Sequence, residues 1–151
     1  MKIKIHRLLD TPLPIRATEG AAAYDVYAAS DELVLHGRQV ITLGFAMEVP
    51  KGYEAKIEPR SGYASKGFAG FIDQKFTSEY RFDCDVIVGK IDSDYRGIVG
   101  VIINNRDRNF YIKKGQRIAQ MTIYKVETVE FEEGELSETS RGIGGFGHTN
   151  I

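Results

Sequence analysis

Gly89-Lys90-Ile91-Asp92-Ser93-Asp94-Tyr95-Arg96-Gly97 sets two carboxylates, a tyrosine and an arginine between two glycines. Apolar runs flank it, Val-Ile-Val at 86–88 and Ile-Val-Gly-Val-Ile-Ile at 98–103. Short β-branched runs of this kind form strands. The polar cluster is therefore expected on a hairpin connection, where strands hold its side chains in fixed directions. Taken alone, Asp, Ser and Gly also make an ordinary solvated turn.

The same pattern extends outward. Residues 2–8 alternate, with Ile3 and Ile5 on one face and Lys4 and His6 on the other. Residues 32–35 and 39–43 read as strands about a turn at His36-Gly37, and 45–49 continues the pattern. Residues 54–58 alternate with Ala55 and Ile57 facing inward, and further strands are expected at 110–112, 117–126 and 129–131. One short helical turn is expected within 59–67, and strand ends at Phe71-Ile72 and Phe82. No helix-length window repeats apolar residues at i, i+3, i+4 and i+7. Short strands punctuated by turns mean an all-β barrel or sandwich.

The totals bound the function. The 151 residues fit one domain with a real core, and a formal net charge of −1 argues against binding nucleic acid or anionic membrane through bulk charge. A single cysteine, Cys84, rules out an intrachain disulfide and suits a reducing compartment. No apolar run approaches a membrane span, and the first five residues alternate instead of forming a leader's apolar block. A soluble, cytoplasmic protein is expected. His6, His36 and His148 are too scattered for a zinc site. The six glutamates within 127–138 read as a solvated edge.

Four polar islands accompany the opening one. Ala22-Ala23-Tyr24-Asp25-Val26-Tyr27-Ala28 isolates a carboxylate among small residues. Pro59-Arg60-Ser61-Gly62 joins a guanidinium, a hydroxyl and an open backbone. Gly115-Gln116-Arg117-Ile118-Ala119-Gln120 begins a strand with a polar residue at each end. Near the end of the chain, residues 142–147 hold four glycines, with Arg141 before them and Phe146 among them. That tail is too glycine-rich to pack as a strand and is expected to stay mobile until something orders it.

These residue types suit a nucleoside polyphosphate. Arg60 and Arg141 can grip phosphate oxygens bidentately. Ser61, Gln120 and glycine amides can donate to the rest. Phe146 can stack on a base, Asp92 can take a proton from water, and Asp25 can help hold hydrated Mg²⁺. Plainer uses exist: Asp25 as a turn cap, Gln120 as a strand residue, Arg60-Ser61 as a loop anchor. Arg117 reads as structural.

In order, and over nearly the whole chain, the five islands resemble the five motifs of the trimeric dUTPases. The first is Ala22-Ala23-Tyr24-Asp25-Val26. The second is Pro59-Arg60-Ser61-Gly62-Tyr63-Ala64-Ser65-Lys66. The third is the opening stretch, and the fourth runs from Gly115 to Gln120. The fifth is Arg141-Gly142-Ile143-Gly144-Gly145-Phe146-Gly147. The resemblance implies a jelly-roll-like β-domain over 1–139 with an atypical insert at 68–84. It also implies a flexible arm at 140–151 that completes a neighbouring subunit's site in a homotrimer. The implied reaction is Mg²⁺-assisted hydrolysis of dUTP to dUMP and pyrophosphate. Such a reaction limits uracil in DNA and supplies dUMP for dTMP synthesis.

By that resemblance Asp92 and Arg60 are the catalytic residues, Asp92 orienting and deprotonating a water that attacks the α-phosphorus. Ser61, Gly62 and Gln120 hold phosphates, and Asp25 meets the metal through water. Tyr95 leaves no room for a 2′-hydroxyl, while the backbone around Gly89 and Gly100 reads the uracil edge. Arg141 clamps the distal phosphate, and Phe146 with Gly147 covers the base. Asp94 has no assigned role. Ala23 and Ile87 stand where the family commonly has glycine, and residues 68–84 lengthen the link between the second and third motifs. That insert is expected to lengthen the base-reading hairpin, cover the site or serve as a partner surface. The same residues also suit a nucleotide-responsive regulatory homologue, or a hydrolase of a modified deoxyuridine triphosphate.

Overall fold

The structure is a computed structural model that describes residues 1–145. In chain order its strands are β1 (Lys4–Arg7), β2 (Tyr24–Tyr27), β3 (Glu32–Val34), β4 (Gly37–Glu48), β5 (Tyr53–Glu58), β6 (Phe68–Phe71), β7 (Glu79–Phe82), β8 (Cys84–Ile87), β9 (Gly89–Ile91), β10 (Ile98–Asn105), β11 (Phe110–Ile112) and β12 (Arg117–Lys125). One helix, α1 (Ser61–Lys66), interrupts them. The strands form three antiparallel sheets, ordered β1-β4-β10-β8, β3-β11-β6-β7 and β2-β12-β5-β9. This is the all-β architecture expected from the strand pattern, in the jelly-roll-like form that the resemblance implies.

The alternation in the sequence becomes burial. Along β10, Val99, Val101 and Ile103 are buried while Ile98 and Ile102 face out. Along β5, Ala55 and Ile57 enter the core as expected. The two runs expected at 39–43 and 45–49 are one continuous strand, β4, bent at Gly44. Gly44 has φ +71°, and its carbonyl accepts from the N–H groups of both Leu8 and Leu9 at 2.8 and 3.0 Å. A side chain there would also press on Ala29, its Cβ only 2.7 Å from that residue's Cβ. Beyond the bend residues 45–48 pair with β1, while on the other side β10 pairs with residues 37–42 and again with Ala46 after a register shift.

The flanks of the opening stretch pair as a hairpin does, β8 antiparallel to β10 with Ile102 opposite Ile87. The connection between them is more than a loop, because β9 within it pairs with β5 of another sheet, a crossing that the apolar flanks do not announce. Two expectations need correction. The strand expected at 129–131 is absent, and Val129 and Phe131 are exposed.

The insert does not lengthen the 89–97 connection. It folds into its own hairpin, β6 on β7, with Phe68 opposite Phe82 and Phe71 opposite Glu79. Its foot belongs to the core. The Phe82 ring stacks on Phe110 at 4.3 Å, and Phe68 packs on Phe110 and Tyr63 at 5.7 and 4.5 Å. At the tip, Asp73 Oδ1 accepts from Lys75 N–H at 2.9 Å and Phe76 sits edge-on to Phe71. Ile72 and Tyr80 are the large apolar side chains of the hairpin that remain exposed. Burial pushes the nearby Cys84 thiol up to about 12, so it is an inert core group.

Candidate active site

Asp25 lies on β2 directly opposite Gln120 of β12, which in turn lies opposite Glu58 of β5. Opposed residues share a face, so these three polar side chains project together. Arg60 immediately follows β5 and Arg117 begins β12, and both turn toward Asp25. Arg60 Nε lies 3.2 Å from Asp25 Oδ1, and Arg117 Nη1 lies 3.3 Å from Oδ2. Asp25 is mostly buried, which strengthens both pairs relative to surface ones.

Tyr63 fixes this arrangement. The single turn of α1 starts at Arg60, whose carbonyl accepts from the N–H groups of Tyr63 and Ala64, both at 2.9 Å. The buried Tyr63 ring carries Arg60 above it at 5.4 Å. Its phenol donates to the Arg117 carbonyl at 2.7 Å. Gln116 Nε2 donates to that phenol at 3.2 Å and to the Ala69 carbonyl at 2.7 Å. A cleft of about 320 Å³ results, lined by Asp25, Arg60, Ser61, Gly62, Arg117 and Gln120. Two guanidiniums against one carboxylate leave a net positive, donor-rich hollow suited to a phosphate chain.

Asp92 and Tyr95 form a separate feature. The Tyr95 N–H donates to the Asp92 carbonyl at 3.2 Å, closing a tight turn. Its phenol folds back to donate to the Ile98 carbonyl at 3.1 Å. Arg96 braces the turn through the carbonyls of Ser93 and Tyr95, at 2.7 and 2.9 Å. A Cβ at Gly97 would run into the Tyr95 ring, so the bare backbone there lets the ring fold back. A Cβ at Gly100 would lie 2.5 Å from Val40 Cγ1, and one at Gly89 3.7 Å from Ile102 Cδ1. With exposed Val40, Val88, Ile98 and Ile102 around them, the two glycines floor a shallow apolar surface.

The two features do not meet within one chain. β2 and β9 are opposite edges of the same four-stranded sheet. Asp25 is level with Glu58, whereas Asp92 follows Ile91, which is level with Ala55. Three strand spacings across and about four residues along put the two carboxylates roughly 20 Å apart.

Comparison with known proteins places this geometry. A family model for dUTPase matches residues 10–150. The chain is 42% identical over 157 residues to a deoxyuridine 5′-triphosphate nucleotidohydrolase of Anaplasma marginale (strain St. Maries), covering 99% of this chain and 98% of the relative. It is 41% identical over 156 residues to the enzyme of that name from Hydrogenobaculum sp. (strain Y04AAS1), covering 100% and 99%. The chain belongs to the dUTPase family. A solved Staphylococcus bacteriophage 80alpha dUTPase with dUPNHPP shares the fold at TM-score 0.82 and 24% identity, over 99% of both chains.

Among the residues assigned by resemblance to the dUTPases, the structure gathers Asp25, Arg60, Ser61, Gly62 and Gln120 in the cleft. It gathers Gly89, Asp92, Tyr95 and Gly100 around the crossing between sheets. Arg141 stands apart on the chain beyond β12, exposed, its Nε donating to the Gly144 carbonyl at 2.8 Å. Phe146 and Gly147 lie outside the described residues. Among the described residues no three His, Cys, Asp or Glu side chains gather to hold a metal. Asp25 is the carboxylate lining the cleft, a donor set that fits an ion held through water rather than an inner-sphere cage.

Sequence reasoning missed two arginines of this region. Arg117 read as structural, yet it lines the cleft and pairs with Asp25. Its odd spacing from Gln120 puts it on the opposite face of a regular strand, and the register shift between Arg117 and Ala119, invisible in the sequence, breaks that alternation. Arg81 had no signal at all, since only the β6–β7 pairing brings it near Tyr63.

Proposed function

We propose that the protein hydrolyses dUTP to dUMP and pyrophosphate at sites assembled from three copies of the chain. One observation carries this reading. The donor-rich cleft and the Asp92–Tyr95 turn lie roughly 20 Å apart on opposite edges of a sheet, so within one chain they cannot serve one substrate together. A cleft from one copy facing the turn of a second brings them together. The chain beyond β12 supports the third contribution. It leaves the body extended, with Phe131, Leu136 and Ile143 almost fully exposed. The arm 140–151 then delivers Arg141, Phe146 and Gly147 to a neighbouring copy's substrate.

In this assembly Ser61, the Gly62 amide, Arg60 and Gln120 bind and orient the phosphate chain. Mg²⁺, held mainly by substrate phosphates and met by Asp25 through water, would neutralise charge on them. Asp92 accepts the proton of the attacking water. Tyr95, locked against the Ile98 carbonyl, excludes a 2′-hydroxyl, and the bare backbone at Gly89 and Gly100 admits the uracil edge. A cytoplasmic enzyme of this kind keeps Cys84 reduced.

Pyrophosphate release from dUTP, UTP, dTTP and dCTP in the presence of Mg²⁺ tests the reading. dUTP is expected to be turned over at least a hundredfold faster than the others, roughly the discrimination one well-shaped contact supplies. Comparable rates on dUTP and dTTP would sink the uracil assignment.

A further inference from the structure

The β6–β7 hairpin carries a guanidinium to the phosphate side of the molecule. Arg81 lies opposite Ala69 on that ladder. Its Nη1 donates to the Gly67 carbonyl at 3.3 Å, and its guanidinium sits 5.6 Å from the centre of the Tyr63 ring. Arg60 sits 5.4 Å from the same ring. One buried tyrosine thus organises an arginine of the phosphate cleft and an arginine of the insert.

A second cleft of about 390 Å³ opens here, bordered by Arg60, Gly62, Glu79, Arg81, Gln116 and Arg117. Arg60, Gly62 and Arg117 also line the first cleft, so the two are continuous. Asp25 offsets one positive charge of Arg60 and Arg117. Glu79 is the carboxylate beside Arg81, at 3.4 Å and half exposed, where an ion pair is weak and easily exchanged. Arg81 itself is half exposed and retains open N–H groups.

We propose that the cleft between Arg60, Arg81 and Arg117 receives a diphosphate group, and that the insert hairpin thereby adds Arg81 to the phosphate end of the site. The proposal rests on the dUTPase reading above and extends it to a residue outside the five motifs. Diphosphate reaches this cleft from two sources, the terminal phosphates of bound dUTP and released pyrophosphate. A planar fork suits either.

Arg81→Gln keeps the aliphatic stem over Tyr63 and removes the charge. With the full-length protein, inhibition by inorganic pyrophosphate is expected to weaken roughly tenfold, the loss of about one charge-assisted hydrogen bond. Inhibition by dUMP, which has no diphosphate, is expected to stay unchanged. Glu79→Gln is expected to act oppositely and tighten pyrophosphate severalfold. A KM for dUTP that rises with Arg81→Gln assigns the cleft to bound substrate, and an unchanged KM assigns it to product. Unchanged pyrophosphate inhibition in a folded variant, or equal weakening toward dUMP, overturns the proposal. If the wild-type chain fails to turn over dUTP, pyrophosphate binding is read by calorimetry. Weaker binding by Arg81→Gln then upholds the cleft while the dUTPase reading falls.

Discussion

Lys90 Nζ lies 2.7 Å from Glu54 Oε2, across the β5–β9 pair and two positions before Asp92. Lys56 holds the other oxygen of Glu54 at 3.1 Å. The hydrogen bond from Lys90 holds the Glu54 carboxyl below its usual range, and Glu54 in turn raises Lys90, with Asp92 adding to the effect. A depressed carboxyl contributes stability above its unfolded pKa and loses it as pH falls through the folded one. A raised lysine contributes below its unfolded pKa and loses it only in strong alkali. The pair therefore supports the fold across neutral pH and fails first in acid. The melting temperature of the wild type should fall more steeply than that of Glu54→Gln as pH drops below about 4. Parallel melting curves would show that the pair is incidental.

Asp92 is exposed at the end of β9, where a water has room beside it. Asp92→Asn preserves the shape of the turn, because the bond that closes it uses the backbone carbonyl rather than the carboxylate. Turnover is expected to drop roughly 10²- to 10⁴-fold, the usual worth of a positioned general base. Binding of a non-hydrolysable dUTP analogue by calorimetry should change little. Near-normal turnover would refute the assignment of Asp92 as the base.

Gly97→Ala tests the Tyr95 wall without touching Tyr95. The added Cβ enters the space of the Tyr95 ring and displaces the phenol from the Ile98 carbonyl. Discrimination between dUTP and UTP is expected to fall, seen as a rise in relative kcat/KM for UTP, while the melting temperature shifts little because Tyr95 is largely exposed. Retained discrimination would mean that another group rejects the 2′-hydroxyl.

The local rules of the sequence carried unevenly into this site. Asp25, Arg60, Ser61 and Gln120 were legible because each sits among small or β-branched neighbours that leave its polarity unexplained. Their convergence was not legible, since it depends on Gln120 facing Asp25 and Glu58 across two strand registers. β9 was hidden because its three residues carry one buried side chain, Ile91, too few to show a period. The insert looked mixed because Gly70 and the polar side chains of β7 interrupt its alternation, although Phe68 and Phe82 close it at both ends. The separation of Asp25 from Asp92 is a property of sheet order, which no local pattern encodes.

The exposed arm makes a separate prediction. Cutting the chain before Arg141 removes a residue whose side chain, among the described residues, bonds locally, to the Gly144 carbonyl three residues on. Activity is expected to vanish while the melting temperature of the body is retained. Sizing of the intact protein should give three copies. Adding the truncated form to an Asp92→Asn variant should restore activity on subunit exchange, because one supplies the base and the other the arm. A truncated protein that melts early would show that the arm is structural, and a monomeric elution would remove the basis for a shared site.

The insert hairpin should behave as core at its foot and as loop at its tip. Phe82 is 2% exposed and stacks on fully buried Phe110 at 4.3 Å. Phe82→Ala empties that layer, and its cost is expected near 3–5 kcal/mol, the usual range for a buried phenylalanine. Unfolding in denaturant measures it, at one fixed protomer concentration because assembly adds to apparent stability. The tip is different: residues 72–78 are held by the Asp73 turn and the contact of Phe76 with Phe71. Replacing them with a two-residue Asn-Gly turn keeps the β6–β7 register and is expected to leave the melting temperature within a few degrees. A neutral Phe82→Ala would show that the hairpin merely leans on the barrel. A tip replacement that unfolds the protein would show that the tip, and not the phenylalanine layer, fixes the position of β7.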